Sequence, residues 1–475
     1  MISTDLRLLG EARRAWNAGA DLRSRRLRYK RFTYGNQWSD IIKTSSGEIM
    51  TERDHELRRG RRPMSNNLIR RLIKSIVGRF RVLEEDNPIT DPMLARLSQL
   101  NNLEELDARN LEEFLISGCA IQKISAERRH HGAGVWVDNV APDKFFINSI
   151  TDPRGWDIEL IGMLHDMSFT ELIMRFASDN PALATRLSAI YQQPQRWGAV
   201  SPLASEPDDA CFDRAPSGRC RVVEVWTLEV MPVTVAHDPV NATTAEINAD
   251  TRNQIIKLNR QRRRKGEAEI KLTTKFSSLW RCRWLAPDGT LLAGSTASRH
   301  PFVVKLYPLI DGEVHSLVED VIDQQIQINR LITLIDHIMG SSAKGALLFP
   351  VKQKVEGIEW DDISRMWSAP DAVIPYAGST AVAEPHQVCS SGGDAIAKEL
   401  LAVQLKMFED VSGVSQALMG KTGGGGNVGI ERYEAEVRNA TITINDILKT
   451  FQHLRSQRNE LMLNLSGKIG GIFTT

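Results

Sequence analysis

Residues 314–339 read VHSLVEDVIDQQIQINRLITLIDHIM. Val314, Leu317, Val318, Val321, Ile322, Ile328, Leu331, Ile332, Ile335 and Ile338 recur at steps of three and four, the period of one helix face. At 1.5 Å per residue the segment predicts a helix about 39 Å long. Glu319, Asp320, Asp323, Gln327 and Arg330 fall on its other face. A helix this long with one continuous apolar side must be covered along its whole length, so the fold is organised around it.

Working outward, residues 345–390 read as short strands and loops, with Pro370, Pro375, Gly378 and Pro385 in the second half. A helix follows over 393–411, then a glycine-rich break at 420–429 and a long helix over 430–465. Upstream, 221–230 (RVVEVWTLEV) is a β-prone strand. The segment RNQIIKLNRQRRRK at 252–265 precedes two strands, 270–276 and 279–285, and a Pro-Asp-Gly turn at 287–289 that leads into Leu291 and Leu292. Between Arg252 and Lys275 there are 9 basic and 2 acidic residues, a composition shift that marks a small inserted α/β module.

Nearer the N-terminus, Leu8, Leu9, Ala12, Trp16 and Ala20 predict an amphipathic helix, followed by the run Arg23, Arg25, Arg26, Arg28, Lys30 and Arg31. That run reads as a solvated face or an inter-subunit salt-bridge surface, with nucleic-acid contact as the alternative. Pro63 and Ser65 open a helix with Leu68, Ile69, Leu72, Ile73 and Ile76 as its stripe, and Pro92 opens one running to about 117. Strands are expected at 134–139 and 144–147, helices at 169–177 and 182–191, and a loop over 193–219. With no internal repeat, the class is α+β, helix-dominated.

Length and composition set bounds on this reading. A chain of 475 residues suggests about three packed units, and 42% apolar with 25% charged residues is globular composition. The net charge of +1 excludes indiscriminate wrapping of DNA by the whole surface, although residues 1–81 hold 20 basic against 8 acidic residues. Five scattered cysteines (Cys119, Cys211, Cys220, Cys282, Cys389) point to a reducing compartment rather than a disulfide framework. No apolar run reaches the ~18 residues of a membrane span, and MISTDLRLLGEARRAWN lacks the apolar stretch of a signal peptide. The expectation is a protein that is soluble and intracellular at synthesis.

The search for chemistry finds little. Met419-Gly420-Lys421-Thr422 resembles the end of a phosphate-binding loop, but that loop needs glycine where Ser415 stands, and a strand rather than a helix before it. His130 and His131 would point to opposite faces of a strand, and Asp208 and Asp209 lack partners at a recognisable spacing. No Gly-x-Ser-x-Gly elbow is present. No catalytic residue, metal ligand or cofactor is assigned.

Four segments, in order, carry a resemblance. Phe32-Thr33-Tyr34-Gly35-Asn36-Gln37-Trp38 is the first. Gly60-Arg61-Arg62-Pro63 with Asn66, Asn67, Ile69, Ile73 and Gly78 is the second. The third is Pro308 to Gly312 followed by Val318, Asp323, Gln324 or Gln325, and Asn329. The fourth is Ser412-Gly413-Val414 with Met419-Gly420 before a long helix. Together they resemble the portal proteins of tailed bacteriophages, with a pattern closest to those of short-tailed phages.

The resemblance implies a portal fold with wing, stem and clip regions, assembled as a ring of usually twelve subunits at one capsid vertex. Through it the terminase large subunit packages double-stranded DNA, which is later ejected. It implies a wing over 1–220, a basic clip over 221–300, a stem helix over 301–340, strands and a channel loop over 341–392, and wing or crown helices over 393–475. Further partners implied are the major capsid protein or scaffold and a head–tail adaptor, with no membrane, and the location is the virion and, during assembly, the host cytoplasm.

Within that frame, Arg260, Arg262, Arg263, Arg264 and Lys265 are expected as clip contacts to a partner or to DNA at the channel entrance, or else as a solubilising face. Glu319, Asp320, Asp323 and Gln327 are expected to face the channel or to form a solvated or subunit-contact face. Tyr34, Gly35, Gln37, Trp38, Pro63, Asn66, Gln325, Asn329, Gly413 and Gly420 are expected as structural motif residues. A monomeric nucleic-acid-binding adaptor is the alternative function, followed by a DNA-processing enzyme.

Overall fold

The structure is a computed structural model describing residues 4–85, 89–129, 132–191, 212–216, 218–239, 241, 243–247, 249–266, 268–342, 346–368, 373–378, 384–388, 393–414 and 430–472. The chain begins with α1 (Leu6–Ala18), α2 (Ala20–Thr33), the hairpin β1 (Ile41–Lys43) and β2 (Ile49–Thr51), α3 (Glu52–Arg58) and α4 (Leu68–Glu85). It continues through α5 (Pro92–Asn101), α6 (Leu103–Ser117), β3 (Cys119–Arg129), β4 (Gly132–Asn139), β5 (Phe145–Ile147), β6 (Leu160–Met167), α7 (Phe169–Phe176) and α8 (Pro181–Tyr191). Next come β7 (Cys220–Asp238), β8 (Thr243–Ile247), α9 (Ala249–Lys265), β9 (Lys271–Leu285), β10 (Leu291–Ala297), β11 (Phe302–Leu306), β12 (Pro308–Ile310) and β13 (Glu313–Val314). The last third holds α10 (Leu317–Ser342), β14 (Ala346–Leu348), α11 (Trp360–Ser368), β15 (His386–Val388), α12 (Gly393–Ser412) and α13 (Ile430–Ile472). The fold is mixed α+β and rich in helix.

Strand β3 sits at the centre, between β11 and β4. Successive side chains of a strand point to opposite faces, and here both faces are covered. Ala120 and Ile124 join a helical core with Ile73, Phe114, Val321 and Phe451. Cys119 and Ile121 join a second core with Phe145, Ile161, Trp226 and Phe302, formed against the sheet β10-β9-β7-β6-β5. The far side of that larger sheet is closed by α1, where Leu8, Leu9, Ala12 and Trp16 meet Leu164, Val223 and Val225. The turn from α6 into β3 is made at Gly118, with φ of 72°, where a Cβ would lie 2.7 Å from the His315 carbonyl oxygen.

Long-range pairing revises several local expectations. The expected helix over 92–117 is two helices, broken at Asn102 in the left-handed region (φ 49°). Beside the break, the Asn101 amide donates to the Leu97 and Val135 carbonyls and accepts from the Val137 N–H, which ties the end of α5 to β4. The strands expected at 270–276 and 279–285 are one strand, because Phe276 to Leu279 stay in register with Pro232 to Glu229. β3, β6 and α11 were not expected from the periodicity. β3 and β6 lack clean alternation because a packed core covers each of their two faces.

Beyond Thr227 on β7 and Trp280 on β9 the large sheet thins to a two-stranded ribbon. Its β7 arm, residues 228–238, spans about 35 Å at ~3.3 Å per residue. The end of the ribbon carries β8 and α9 around a small core of Ala236, Ile255 and Ile270. In the last third of the chain α10 and α12 run antiparallel, since β14 after α10 pairs antiparallel with β15 before α12.

Candidate functional site

The buried side of α10 carries a polar row, Gln325, Asn329 and Thr333, at four-residue spacing. Gln325 Oε1 accepts from the backbone N–H groups of Leu68 (2.9 Å) and Ile69 (3.3 Å). A side chain 257 residues away thus satisfies two of the orphan donors at the start of α4. Gln325 Nε2 donates to the Asn66 carbonyl (2.7 Å) and to Asn329 Oδ1 (3.0 Å). Asn329 Oδ1 also accepts from Asn66 N (3.1 Å), and its Nδ2 donates to Gln37 Oε1 (2.7 Å). Gln37 passes the chain of bonds on to the Phe32 carbonyl (2.9 Å), and Thr333 Oγ1 accepts from Met64 N (3.0 Å).

The remaining N-terminal motif residues surround this latch. Gly35 turns the chain at φ 96°, Trp38 Nε1 donates to the Met64 carbonyl (3.2 Å), and Pro63 lies in the extended segment before Asn66. Tyr34 OH donates to Glu112 (3.0 Å), whose carboxylate also takes Arg70 and Arg109, while the Arg70 guanidinium covers the Tyr34 ring. Burial alone would raise the Glu112 pKa, but the Arg70 and Tyr34 bonds outweigh it and hold it below the ordinary value. The start of α4 is capped by Asn67, which accepts from Arg70 N (3.0 Å), rather than by Ser65.

A second anchor joins α13 to the same core. Asp107 on α6 is buried and receives Arg458, Arg455 Nε (2.8 Å) and Gln122 Nε2 (3.3 Å), while Arg455 also forms a fork with Glu84. Burial pulls the Arg458 pKa below the usual guanidinium value in spite of Asp107.

The helix pair presents two further surfaces. On α10, Asp320, Asp323 and Gln327 are exposed along one face. Glu319 is instead half-buried, 3.2 Å from Arg25 Nη1 and 3.3 Å from His315 Nδ1. On α12, Leu401, Leu405 and Phe408 pack into the helical core. A different face of the same helix carries Ile396, Leu400, Val403, Met407 and Val411, all between 46% and 69% exposed. Their steps of four, three, four and four place them in one stripe.

A family model for the phage P22-like portal protein matches residues 84–453. The chain belongs to this portal protein family. A search of the curated proteins found no match. The matched span contains the third and fourth of the resembling segments, and the first two precede it. The latch ties the two groups together, since Gln37 and Asn66 from the early segments bond to Gln325 and Asn329 from the third.

In this portal protein the expected contact residues divide by their surroundings. Arg262 is turned inward, its two terminal nitrogens on the Asp238 carboxylate at 2.6 and 2.7 Å, so it holds α9 to the ribbon instead of facing a partner. Arg263 pairs with Glu269 (2.6 Å) while remaining exposed. Arg260, Arg264 and Lys265 are exposed and have no ion pair among the described residues. Glu319 is committed to Arg25 and His315, unlike the exposed Asp320, Asp323 and Gln327.

In the N-terminal basic run Arg23 and Arg26 are buried, Arg25 and Arg28 half-buried, and Lys30 and Arg31 exposed. Arg23 lies over the Trp16 ring, Arg26 pairs with Glu113, and Arg28 and Arg31 pair with Asp40. Gly413 follows α12 at φ 63°. Gly420, the Gly-Lys-Thr segment, His130, His131, Asp208 and Asp209 lie outside the described residues.

Portal proteins are a structural family. Among the described residues, no group of three His, Cys, Asp or Glu side chains is arranged to hold a metal ion, and no helix is long and apolar enough to cross a membrane. Cys119, Cys220 and Cys282 are free and buried, their thiols pushed up to about 12, 11 and 12 by burial, which is the opposite of an activated nucleophile.

Among the described residues, Glu224 is a strongly perturbed carboxylate, buried where the large sheet meets β3. It lies 2.5 Å from Lys123 Nζ, 2.6 Å from His165 Nε2 and 2.9 Å from Trp226 Nε1. Burial pushes its pKa up, but Lys123 and His165 more than offset this and hold it at about 2. Burial also keeps His165 below its ordinary value. Both folded-state values are depressed, so the stabilisation is present above the unfolded values and is lost as pH falls. The loss begins below ~6.5 for His165 and runs from ~4.5 toward 2 for Glu224, where it amounts to about 3 kcal/mol. Glu224→Gln is expected to flatten the acid limb of a denaturant-midpoint-against-pH curve below pH ~4.5; an unchanged limb would place the acid sensitivity elsewhere.

Proposed function

We propose that this portal protein forms a closed ring of about twelve copies around a central channel at one capsid vertex. Double-stranded DNA is packaged through it by the terminase large subunit and later ejected, and a head–tail adaptor and the major capsid protein or scaffold attach to it. It assembles in the host cytoplasm and resides in the virion.

The observation that carries this reading is the second apolar face of α12. A helix apolar on two sides belongs in the interior of an assembly. One side of α12 is covered within the chain, and Ile396, Leu400, Val403, Met407 and Val411 await a neighbouring subunit. Asp320, Asp323 and Gln327 on α10 would then face the channel, where carboxylates repel phosphate and let a duplex slide instead of gripping it.

The same reading revises the layout expected from the sequence. α10 and α12 together form the stem, and the described residues between them, from β14 to β15, belong to the clip. The ribbon within 221–300 continues the sheet that packs on β3, so it groups with the wing over 1–220, and α13 with the wing or crown.

Native mass measurement with negative-stain imaging tests the proposal. The expected result is a ring of about twelve times 53.2 kDa. The double substitution Leu400→Glu with Val403→Glu is expected to abolish the ring while leaving helix content by circular dichroism unchanged. A ring that survives both charges would remove α12 from the subunit interface. The exposed cations of α9 favour the second reading, a monomeric nucleic-acid-binding adaptor, which predicts a single 53.2 kDa species with steeply salt-dependent DNA binding.

A further inference from the structure

We infer that the module at the end of the β7–β9 ribbon is a docking site for the phosphate backbone of double-stranded DNA, separate from the channel. The inference deepens the portal reading, on which it rests for the presence of a duplex.

The module is built to hold α9 rigidly. Ile255 packs on Ala236 and Ile270, Arg262 forks onto Asp238, and the Asn259 side chain makes two bonds to the backbone of Ile270, at 2.9 Å each. These contacts use one face of the helix. At 100° per residue, Lys257, Arg260 and Arg264 fall together on the opposite face, and all three are exposed. Lys271 and Lys275 are exposed on the ribbon as well.

The acids with described side chains beside α9 are already paired. Asp238 is consumed by Arg262 and Glu269 by Arg263. Helix-dipole stabilisation accounts for cations in the last turn of α9, Arg262 to Lys265. It does not account for Lys257 or Arg260, nor for lysines on the strand that follows.

Position makes this charge effective. The ribbon sets the near edge of the module, where β8 joins at Thr234, about 20 Å beyond the large sheet. The Debye length at physiological salt is about 8 Å, so the acidic residues that balance the chain to +1 are screened from it. What an approaching polyanion meets is the module's own surplus.

The shape of the surplus favours duplex DNA over an acidic protein surface. The three cations form a straight row about 10 Å long at 1.5 Å rise per residue, with no apolar pocket described beside it to receive an anchoring side chain. A duplex offers one charge per ~1.7 Å of axis, so such a row meets phosphates in any register and without base readout.

The test uses the full-length protein in its native assembly state and a fluorescent 16-base-pair duplex of random sequence. Anisotropy is measured across a salt series for the wild type and for Lys257→Gln with Arg260→Gln and Arg264→Gln. Loss of three phosphate contacts should reduce the slope of log K against log salt by about 2.7, and affinity at 0.1 M salt by about two orders of magnitude. Native mass on the same samples separates the two claims, because a failed ring overturns the portal proposal while the slope difference still reads the module. A second variant, Lys271→Gln with Lys275→Gln, lies outside α9 and should give a smaller loss of the same kind, which guards against misfolding of the helix in the triple variant. Equal affinity and slope in wild type and triple variant would overturn the inference and leave the cations to an acidic protein partner.

Discussion

Asp107→Ala is expected to destabilise the protein by about 3–5 kcal/mol, because it leaves two guanidinium groups in the core without their shared carboxylate. Arg458 is 1% exposed and keeps only Asn459 and a 3.5 Å approach to Gln122; Arg455 keeps Glu84. The loss should register as a lower midpoint of chemical unfolding, together with faster proteolysis of α13, whose described core contacts run through Phe451, Leu454 and Met462 beside these arginines. The mechanism separates from simple cavity formation by a second variant. Asp107→Leu combined with Arg458→Met removes both charges and keeps volume, so it should be less destabilised than Asp107→Ala alone. A double variant that is worse than the single one would show that the ion pair itself, and not the stranded cation, carries the effect.

Gln325→Leu should cost about 3–5 kcal/mol through a different route. The shape is nearly kept, but the Leu68 and Ile69 N–H groups lose their acceptor, and the Asn66 carbonyl and Asn329 Oδ1 lose the amide donor they share. A buried polar group without a partner costs about 1–3 kcal/mol, and up to four are affected. The first consequence should be local, with residues 34–67 becoming accessible to protease before global unfolding, since their hold on α10 is then left to Thr333 and the Arg330–Glu52 ion pair. Asn329→Leu should produce a similar loss, and the double variant much less than the sum, because the two amides serve one network. Additive losses would mean that the residues act independently.

The latch and the family motifs illustrate how much can be read from residue order. Gln37, Asn66, Gln325 and Asn329 were singled out as motif residues from separate segments, yet nothing in their spacing says that they touch. A polar amide on the apolar side of a helix was the available signal, since Gln325 and Asn329 interrupt the stripe of Val321, Ile322 and Ile328. The Arg455–Asp107–Arg458 anchor left no comparable signal, because charged residues on a helix read as a solvated face until the partner helix is placed.

Charge is where local reading failed most plainly. Arg262 and Arg263 are chemically identical neighbours, but the 100° between them sends one into the Asp238 fork and the other to the surface. The run Arg23 to Arg31 was expected on a surface, whereas Asp40, Glu113 and Glu319 supply intramolecular partners from distant segments.

The sequence by itself determined long helices over 314–339 and 393–411, which the structure places at 317–342 and 393–412, the α+β class, the near-neutral balance and the portal family. Each of these is written in local periodicity, composition or ordered motifs. Only the tertiary structure decided which cations are spent on internal carboxylates, that two strands form one ribbon, that an amide from α10 caps α4, and that α12 keeps a second apolar face. Those outcomes depend on pairings across tens to hundreds of residues, and the free energy of such a pair is set by geometry and burial that no local pattern encodes.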